Sequence, residues 1–409
     1  MKESIKNQPK QYLLLLAIFV LAMNLRAPIT LLGPLTNEIK ADLNISATVA
    51  GLITTLPVLA FAIISPFISR IGNRFGMKKV LFLSIVFLLI ASIVRLFGGV
   101  NIFLIGTFFV GMSIAFANVL LPALIKMDFP LRIGYMTGLY TLFMNITAAI
   151  ASGTSVPVSA GLGLEWKMTA GIWALVAFAA LVLWIPQMLL KPEAPKVALK
   201  TETTPAVKVN MWKNPLAWSV TVFFGIQSLS FYSMVAWLPT MLSNNGMDPA
   251  TAGWVLFVVQ MAQLPASFGV ALLSDRLKNQ SSLVWIGGGA FFIGFSGLIY
   301  SISQQSFTFV WISAIAIGIA GGLTFGLSMM LYNLKTDTVR EASDLAGMSQ
   351  AVGYLFAAMG PTLFGLLHDV TGSWVSVLYV LLASVFVIVG FGLFASQHKK
   401  VSFYSNRKE

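Results

Sequence analysis

Cysteine is absent from the 409 residues, which excludes disulfides, thiolate metal sites and a cysteine nucleophile. Histidine occurs twice, at His368 and His398, the second in the C-terminal tail. Charge is scarce: Asp, Glu, Lys and Arg make up 10% of the chain, against 57% hydrophobic residues. Soluble domains carry about 25% charged residues, so this composition excludes one and indicates a chain that crosses a membrane many times. All 14 acids fall in predicted loops, tails or helix ends, and none lies in mid-span. Intramembrane catalysis needs a nucleophile with a base, paired carboxylates or a metal cluster. None can be assembled from these residues, so neither an enzyme nor a bound cofactor or metal is expected.

Long apolar runs are what the sequence has instead. A run of about 20 residues spans a bilayer as a helix. Twelve are predicted: 11–35, 47–69, 79–99, 101–125, 134–160, 168–190, 214–242, 250–273, 281–301, 306–332, 344–367 and 373–395. The basic start followed by an apolar run resembles a signal peptide, but the run continues too far and has no small-residue cleavage site. It reads as an uncleaved first span. The polar stretch 191–213, rich in Lys, Thr and Pro, reads as a linker between six-helix units at 1–190 and 214–409. The net charge of +12 does not point to nucleic acid, because the basic residues lie between apolar runs rather than on one amphipathic face. Of 26 Lys and Arg, 22 fall in segments on the side of the termini, whereas Lys40, Arg95 and Lys167 fall opposite and Arg26 lies within a span. Such asymmetry predicts both termini in the cytoplasm and a place in the cytoplasmic membrane.

The two halves repeat. Gly51 with Asn73-Arg74 recurs as Gly253 with Asp275-Arg276; Lys126, Asp128 and Gly138 recur as Lys335, Asp337 and Gly347. Six spans separate the copies, so each keeps its side of the membrane, as in parallel repeats related by an axis along the membrane normal. The fold class expected is all-α, with twelve transmembrane helices in two pseudo-symmetric six-helix bundles.

This arrangement resembles the major facilitator superfamily, whose loop between the second and third helices runs approximately G-x3-D-R-x-G-R-[KR]. Here "SRIGNRFGMKKVL" supplies Arg74, Gly76 and Lys78 in register, with Asn73 replacing the acid and Ser69 the first glycine; the second-half copy "ALLSDRLKNQ" keeps Asp275 and Arg276. The resemblance implies that these six residues, Asn73, Arg74, Gly76, Lys78, Asp275 and Arg276, form a cytoplasmic latch, weaker in the first half for want of the aspartate. "NLRAPITLLGPL", "GLITTLPVLAF", "ANVLLPALIKMDFP", "MTGLYT" and "GYLFAAMGPTLFGLLHDVTGSW" are similar to the cyanate-permease and nitroimidazole-transporter (CynX/NimT-like) branch. That branch implies transport of small polar or anionic molecules across a prokaryotic inner membrane.

Arg26 lies 16 residues after Lys10 and 12 before Glu38, about 24 Å and 18 Å along a helix. An arginine at the bilayer centre costs about 2.5–3.5 kcal/mol on insertion scales. It shares a small, polar stripe with Ala22, Thr30 and Gly33, so it is expected to face the bundle interior. No acid answers it, which leaves carbonyls, amides, water or a bound anion, and its planar fork suits a bidentate acceptor. Thr30, Asn118, Thr141, Asn145, Gln227, Tyr232, Gln260, Gln263, Gln350 and Tyr354 complete the predicted substrate ring. The alternative is that Arg26 only holds helix ends together and that the amides and hydroxyls are packing contacts.

Other expectations are structural. Pro28 and Pro34 bend the first span, and Gly360-Pro361 breaks the eleventh. Trp166, Trp237, Trp254 and Trp374 form an interfacial belt, Ser46 caps the second span, and His368 pairs with Asp369. The function expected is alternating-access transport of a small anion or compact polar molecule by a monomer whose other partner is the lipid bilayer. The rival is a proton-coupled exporter of drugs or metabolites, which would call for a buried acid.

Overall fold

The computed structural model describes residues 2–129, 133–189, 209–274, 279–337 and 339–405. Twelve helices among them are long and apolar enough to cross a membrane. In the first half, α1 (Lys2–Met23), the single turn α2 (Ala27–Thr30) and α3 (Thr36–Leu43) precede α4 (Ala47–Phe75), α5 (Met77–Val94), α6 (Val100–Asp128), α7 (Ile133–Gly161) and α8 (Glu165–Leu189). The second half holds α9 (Pro215–Asn244), α10 (Pro249–Ser274), α11 (Ser281–Ser303), α12 (Val310–Leu334), α13 (Val339–Thr371), α14 (Trp374–Ser396) and the short α15 (Val401–Ser405). The expected linker at 191–213 lies mostly outside the described residues; Met211–Lys213 forms one 3-10 turn. We call the side where α1 begins and α14 ends the terminal face, and the opposite side the far face.

Local chemistry sets the helix ends. Ser46 caps α4 as expected, its side chain accepting from the Val49 amide. Asn214 accepts from the amides of Leu216 and Ala217 ahead of Pro215, which occupies the position where a missing N–H costs nothing. Gly76 turns the chain between α4 and α5 at φ +90°, a conformation that disfavours a side chain. Within each half the helices pack as a bundle, and the bundles meet where α4 lies against α13 and α7 against α10.

The first span is broken rather than bent. α1 stops at Met23, a turn runs through Asn24 to Arg26, and α2 begins at Ala27. Pro28 accounts for the position, since it has no N–H to give the Asn24 carbonyl and its ring crowds that carbonyl. After Thr30 the chain turns again through Gly33-Pro34 before α3. At Gly33 a Cβ would stand 2.1 Å from the Val235 carbonyl oxygen of α9, so only glycine lets the two halves approach there. The expected break at Gly360-Pro361 is absent: α13 continues through both residues. A Cβ on Gly360 would meet the Ser233 hydroxyl at 2.5 Å, so this glycine serves close packing against α9.

Two further expectations are corrected. Arg95, counted from sequence among the charges on the side opposite the termini, lies at that end of α5 but is 1% exposed. It follows the last turn of α5 at the far face, and its Nη1 donates to the Pro28 carbonyl at 3.3 Å. Trp166, Trp237 and Trp374 are buried rather than interfacial. Trp237 donates to the Pro361 carbonyl at 2.8 Å and Trp166 to Asp42 at 3.1 Å, while Trp374 stacks on His368 with centroids 3.9 Å apart. They knit the far-face helix ends to one another; Trp254 alone of the four is exposed.

Candidate functional site

The break in the first span decides how Arg26 is presented. As the residue ahead of α2, with φ −130° and ψ −37°, it has left the α1 helical path, and its side chain reaches across to α7. There Nη1 donates to Asn145 Oδ1 at 2.8 Å. The guanidinium carbon also lies 5.1 Å from the Phe231 ring centroid and 5.9 Å from that of Phe325. Among the described residues no carboxylate pairs with it. Cation–π contacts return about 0.5–2 kcal/mol each against an insertion cost of about 2.5–3.5 kcal/mol. They hold the group in place without using its N–H donors, of which a guanidinium has five.

Aromatic rings surround this cation. Tyr232 and Tyr354 have centroids 6.5 Å apart, and both phenols lie within electrostatic reach of Arg26. Tyr354 also meets Phe61 edge-on at 5.7 Å and Phe224 at 5.4 Å. Arg26, Asn145, Tyr232, Phe325, Gln350 and Tyr354 are all half-buried. Gln350 precedes Tyr354 by one turn of α13 and so shares its face. The sequence missed Phe231 and Phe325 as neighbours of the cation, because an apolar ring in an apolar span carries no signal of its own.

The remaining predicted ligands are placed differently. Thr30 donates to the Ala148 carbonyl at 3.1 Å. Gln260 donates to that carbonyl at 3.3 Å and to Ser152 Oγ at 2.8 Å. These bonds tie α2 and α10 to α7 about one turn beyond Asn145, on the far-face side of Arg26. Gln227 is buried, with its amide nitrogen on the Phe224 carbonyl and Ser228 Oγ. Gln263 is buried beside Ser230 and Phe231. Asn118 is exposed on α6. Thr141 lies in α7, its side chain outside the described residues.

The far face is closed above the site. Asp369, at the end of α13, accepts from the Thr48 amide at 2.8 Å and the Thr48 hydroxyl at 2.5 Å, capping the first turn of α4 from the other half. Thr55 donates to the Ala358 carbonyl at 2.6 Å and lies 2.8 Å from Thr362 Oγ1. Asn37 donates to Ser243 Oγ at 2.9 Å. A Cβ on Gly51 would come 2.6 Å from the Pro361 carbonyl oxygen. Glu38 accepts from Ser159 and the Trp166 amide, and Asp42 pairs with Lys167 at 2.8 Å. Lys167 and Trp166 hold the Asp42 carboxyl below its usual range, so it stays ionised.

At the terminal face the ion pairs Lys78–Asp128 and Lys400–Asp337 each stay within one half. Of the expected latch, Arg74 is exposed beside Phe75, Gly76 makes the turn, and Lys78 pairs with Asp128 of its own half at 3.1 Å. Asn73 lies in α4, but its side chain is outside the described residues, as are Asp275 and Arg276 entirely.

Residues 14–361 match the family model described as Major Facilitator Superfamily. An uncharacterized transporter, YycB of Bacillus subtilis (strain 168), is 38% identical over 392 residues, covering 96% of this chain and 95% of its own. The 2-nitroimidazole transporter of Escherichia coli (strain K12) is 33% identical over 95% of this chain and 96% of its own. The cyanate transport protein CynX of the same strain is 24% identical over 88% and 91%. Among solved structures, the inward-open xylose transporter XylE from E. coli superposes with a TM-score of 0.76 at 13% identity, covering 96% of this chain and 99% of its own; at that identity the likeness concerns the fold.

Proposed function

This chain belongs to the Major Facilitator Superfamily, and from that premise we propose that it moves a small anion or compact polar molecule, cyanate-like or nitroheterocycle-like, by rocker-switch alternating access. That it is a multi-pass membrane transporter and not an enzyme follows from the family and its relatives. The finer reading rests on one observation. Arg26 stands half-buried at the centre with one amide partner, two aromatic faces and no carboxylate among the described residues. A cargo that accepts hydrogen bonds in a plane, as a carboxylate or nitro group does, complements the guanidinium fork. Tyr232 and Tyr354 offer ring faces and hydroxyls to its remainder.

The two halves, joined through 191–213, rock about this site. The Lys and Arg asymmetry supports a cytoplasmic terminal face with both termini, and on that reading the bonds across the far face support an inward-facing conformation. The latch residues Asn73, Arg74, Gly76, Lys78, Asp275 and Arg276 would engage when the terminal face closes in its turn. A monomer contains every group this reading uses. An exporter of cations calls for a buried acid, and the centre holds a base.

The test is ligand-induced stabilisation of purified protein by cyanate, benzoate and 2-nitroimidazole. A ligand at 100 times its dissociation constant stabilises the folded form by about 2.7 kcal/mol. At least one of the three should raise the melting temperature of the wild type and leave Arg26→Ala unmoved. Stabilisation by cationic drugs alone, unaffected by the substitution, would overturn the anion reading.

A further inference from the structure

On the exposed side of the second half, near the terminal face, α9 and α14 flank an apolar groove of about 570 Å³. Pro215 and Ser219 line it from α9; Phe386, Gly390, Phe391 and Phe394 line it from α14. Its floor is fixed where the Ser219 hydroxyl donates to the Phe391 carbonyl at 2.7 Å. From Phe386 to Phe394 it runs about 12 Å at 1.5 Å per residue, close to one leaflet of a hydrocarbon core about 30 Å thick. It starts at the helix ends and stops near mid-membrane, which is the depth of a single acyl chain.

The mouth of the groove is cationic and aromatic. Lys213 is exposed two residues before Pro215, and Trp212 is exposed beside it. The Lys399 ammonium lies 4.7 Å from the Phe403 ring centroid and 5.7 Å from that of Tyr404. Tyr404 in turn stands 6.3 Å from Phe394, so Lys399 overhangs the rim. The nearby acid, Asp337, is engaged by Lys400 and Ser402, each at 2.6 Å, and both hold its carboxyl below the usual range. Among the described residues no carboxylate pairs with Lys213 or Lys399. Basic clefts between transmembrane helices at a membrane surface bind anionic headgroups.

We propose that this groove is a binding site for an anionic phospholipid of the bilayer, with one acyl chain between α9 and α14 and the phosphate between Lys213 and Lys399. The site lies apart from Arg26 and uses none of the groups around it. Gly390 supplies a test of the chain-binding part, since a Cβ there would meet no atom within 4 Å. Leucine therefore fits the fold, improves helix propensity and fills the groove.

The experiment compares full-length protein reconstituted with phosphatidylglycerol or with phosphatidylcholine, reading retained lipid by native mass spectrometry and stability by thermal melting. The wild type should retain phosphatidylglycerol in preference, and Lys213→Gln with Lys399→Gln should weaken that preference about thirty-fold. Gly390→Leu should cut retention of both lipids while the melting temperature in detergent stays at or above that of the wild type, which separates lost lipid from lost fold. Equal retention of the two lipids by the wild type, or retention insensitive to both sets of substitutions, would overturn the proposal. So would a second protein copy occupying the groove in place of lipid.

Discussion

Two arginines sit inside the first half, and they do different work. Arg26 is half-buried with donors to spare, whereas Arg95 is fully buried and directed at the carbonyl of Pro28, two residues beyond Arg26. A Cβ on Gly106 would come 2.6 Å from the Arg95 Cβ, so a glycine of α6 makes room for it. Arg95 thereby braces the backbone that presents Arg26. A buried charge with no counter-ion carries a desolvation cost that an apolar side chain of similar volume removes, yet the brace is lost. Arg95→Met is expected to melt at or above the wild-type temperature while transport falls; a parallel loss of both would assign Arg95 to folding alone. That Arg26 turns toward the other helices was legible in the sequence, because a charge left facing lipid is costly; the break that presents it was not. The burial of Arg95 was not, since a charge beside a helix end looks the same whether it turns to solvent or back into the bundle.

At the scale of elements, the first span shows how much proline discloses. Pro28 and Pro34 mark a disturbance in the sequence, but its outcome depends on what packs against it. Here the chain breaks and restarts as α2, with Arg95 on the Pro28 carbonyl and Gly33 against the Val235 carbonyl of α9. At Pro361 the same residue type leaves α13 continuous, with Trp237 on the Pro361 carbonyl. Helical propensity cannot tell the two cases apart. The far-face tryptophans were misplaced for a related reason: their position at helix ends was legible, their engagement with partners from other helices was not. The contact at Gly33 gives a direct prediction. Gly33→Val places methyl groups where the Val235 carbonyl now sits, and overpacking of that kind costs about 1–3 kcal/mol. The cost falls only on the far-face-closed state. The chain has no cysteine, so Ser243→Cys provides a single reporter next to Asn37. Its labelling by a membrane-impermeant maleimide should speed up in the Gly33→Val background; an unchanged rate would mean that the far face does not open at this contact.

For the molecule as a whole, hydropathy and charge scarcity were enough to count the twelve spans and to expect two bundles, because a bilayer forces every backbone group into a helix or barrel. The repeats at Gly51 and Gly253 also marked real inter-half contacts: Gly51 approaches Pro361 and Gly253 approaches the Ser152 carbonyl. The conformation was not legible, since one sequence encodes every state of a transport cycle. It emerges only from Thr48, Thr55 and Asn37 being bonded across the halves at the far face. The cluster around Arg26 was partly legible. Asn145, Tyr232 and Tyr354 lie about Arg26, while Thr30 and Gln260 are engaged in the bridge beyond it. Polar residues on adjacent turns of one helix look equivalent until the neighbouring helix is in place.

The central claim is that the Arg26 fork, and not merely a positive charge, recognises the cargo. Uptake of cyanate or 2-nitroimidazole into proteoliposomes, measured for wild type, Arg26→Lys and Arg26→Ala at equal reconstitution, tests it most directly. Loss of a charge-assisted hydrogen bond costs about 1.5–3 kcal/mol, so Arg26→Lys should fall roughly ten- to a hundred-fold in uptake at low substrate while inserting normally. Uptake by Arg26→Lys at the wild-type rate would contradict the account.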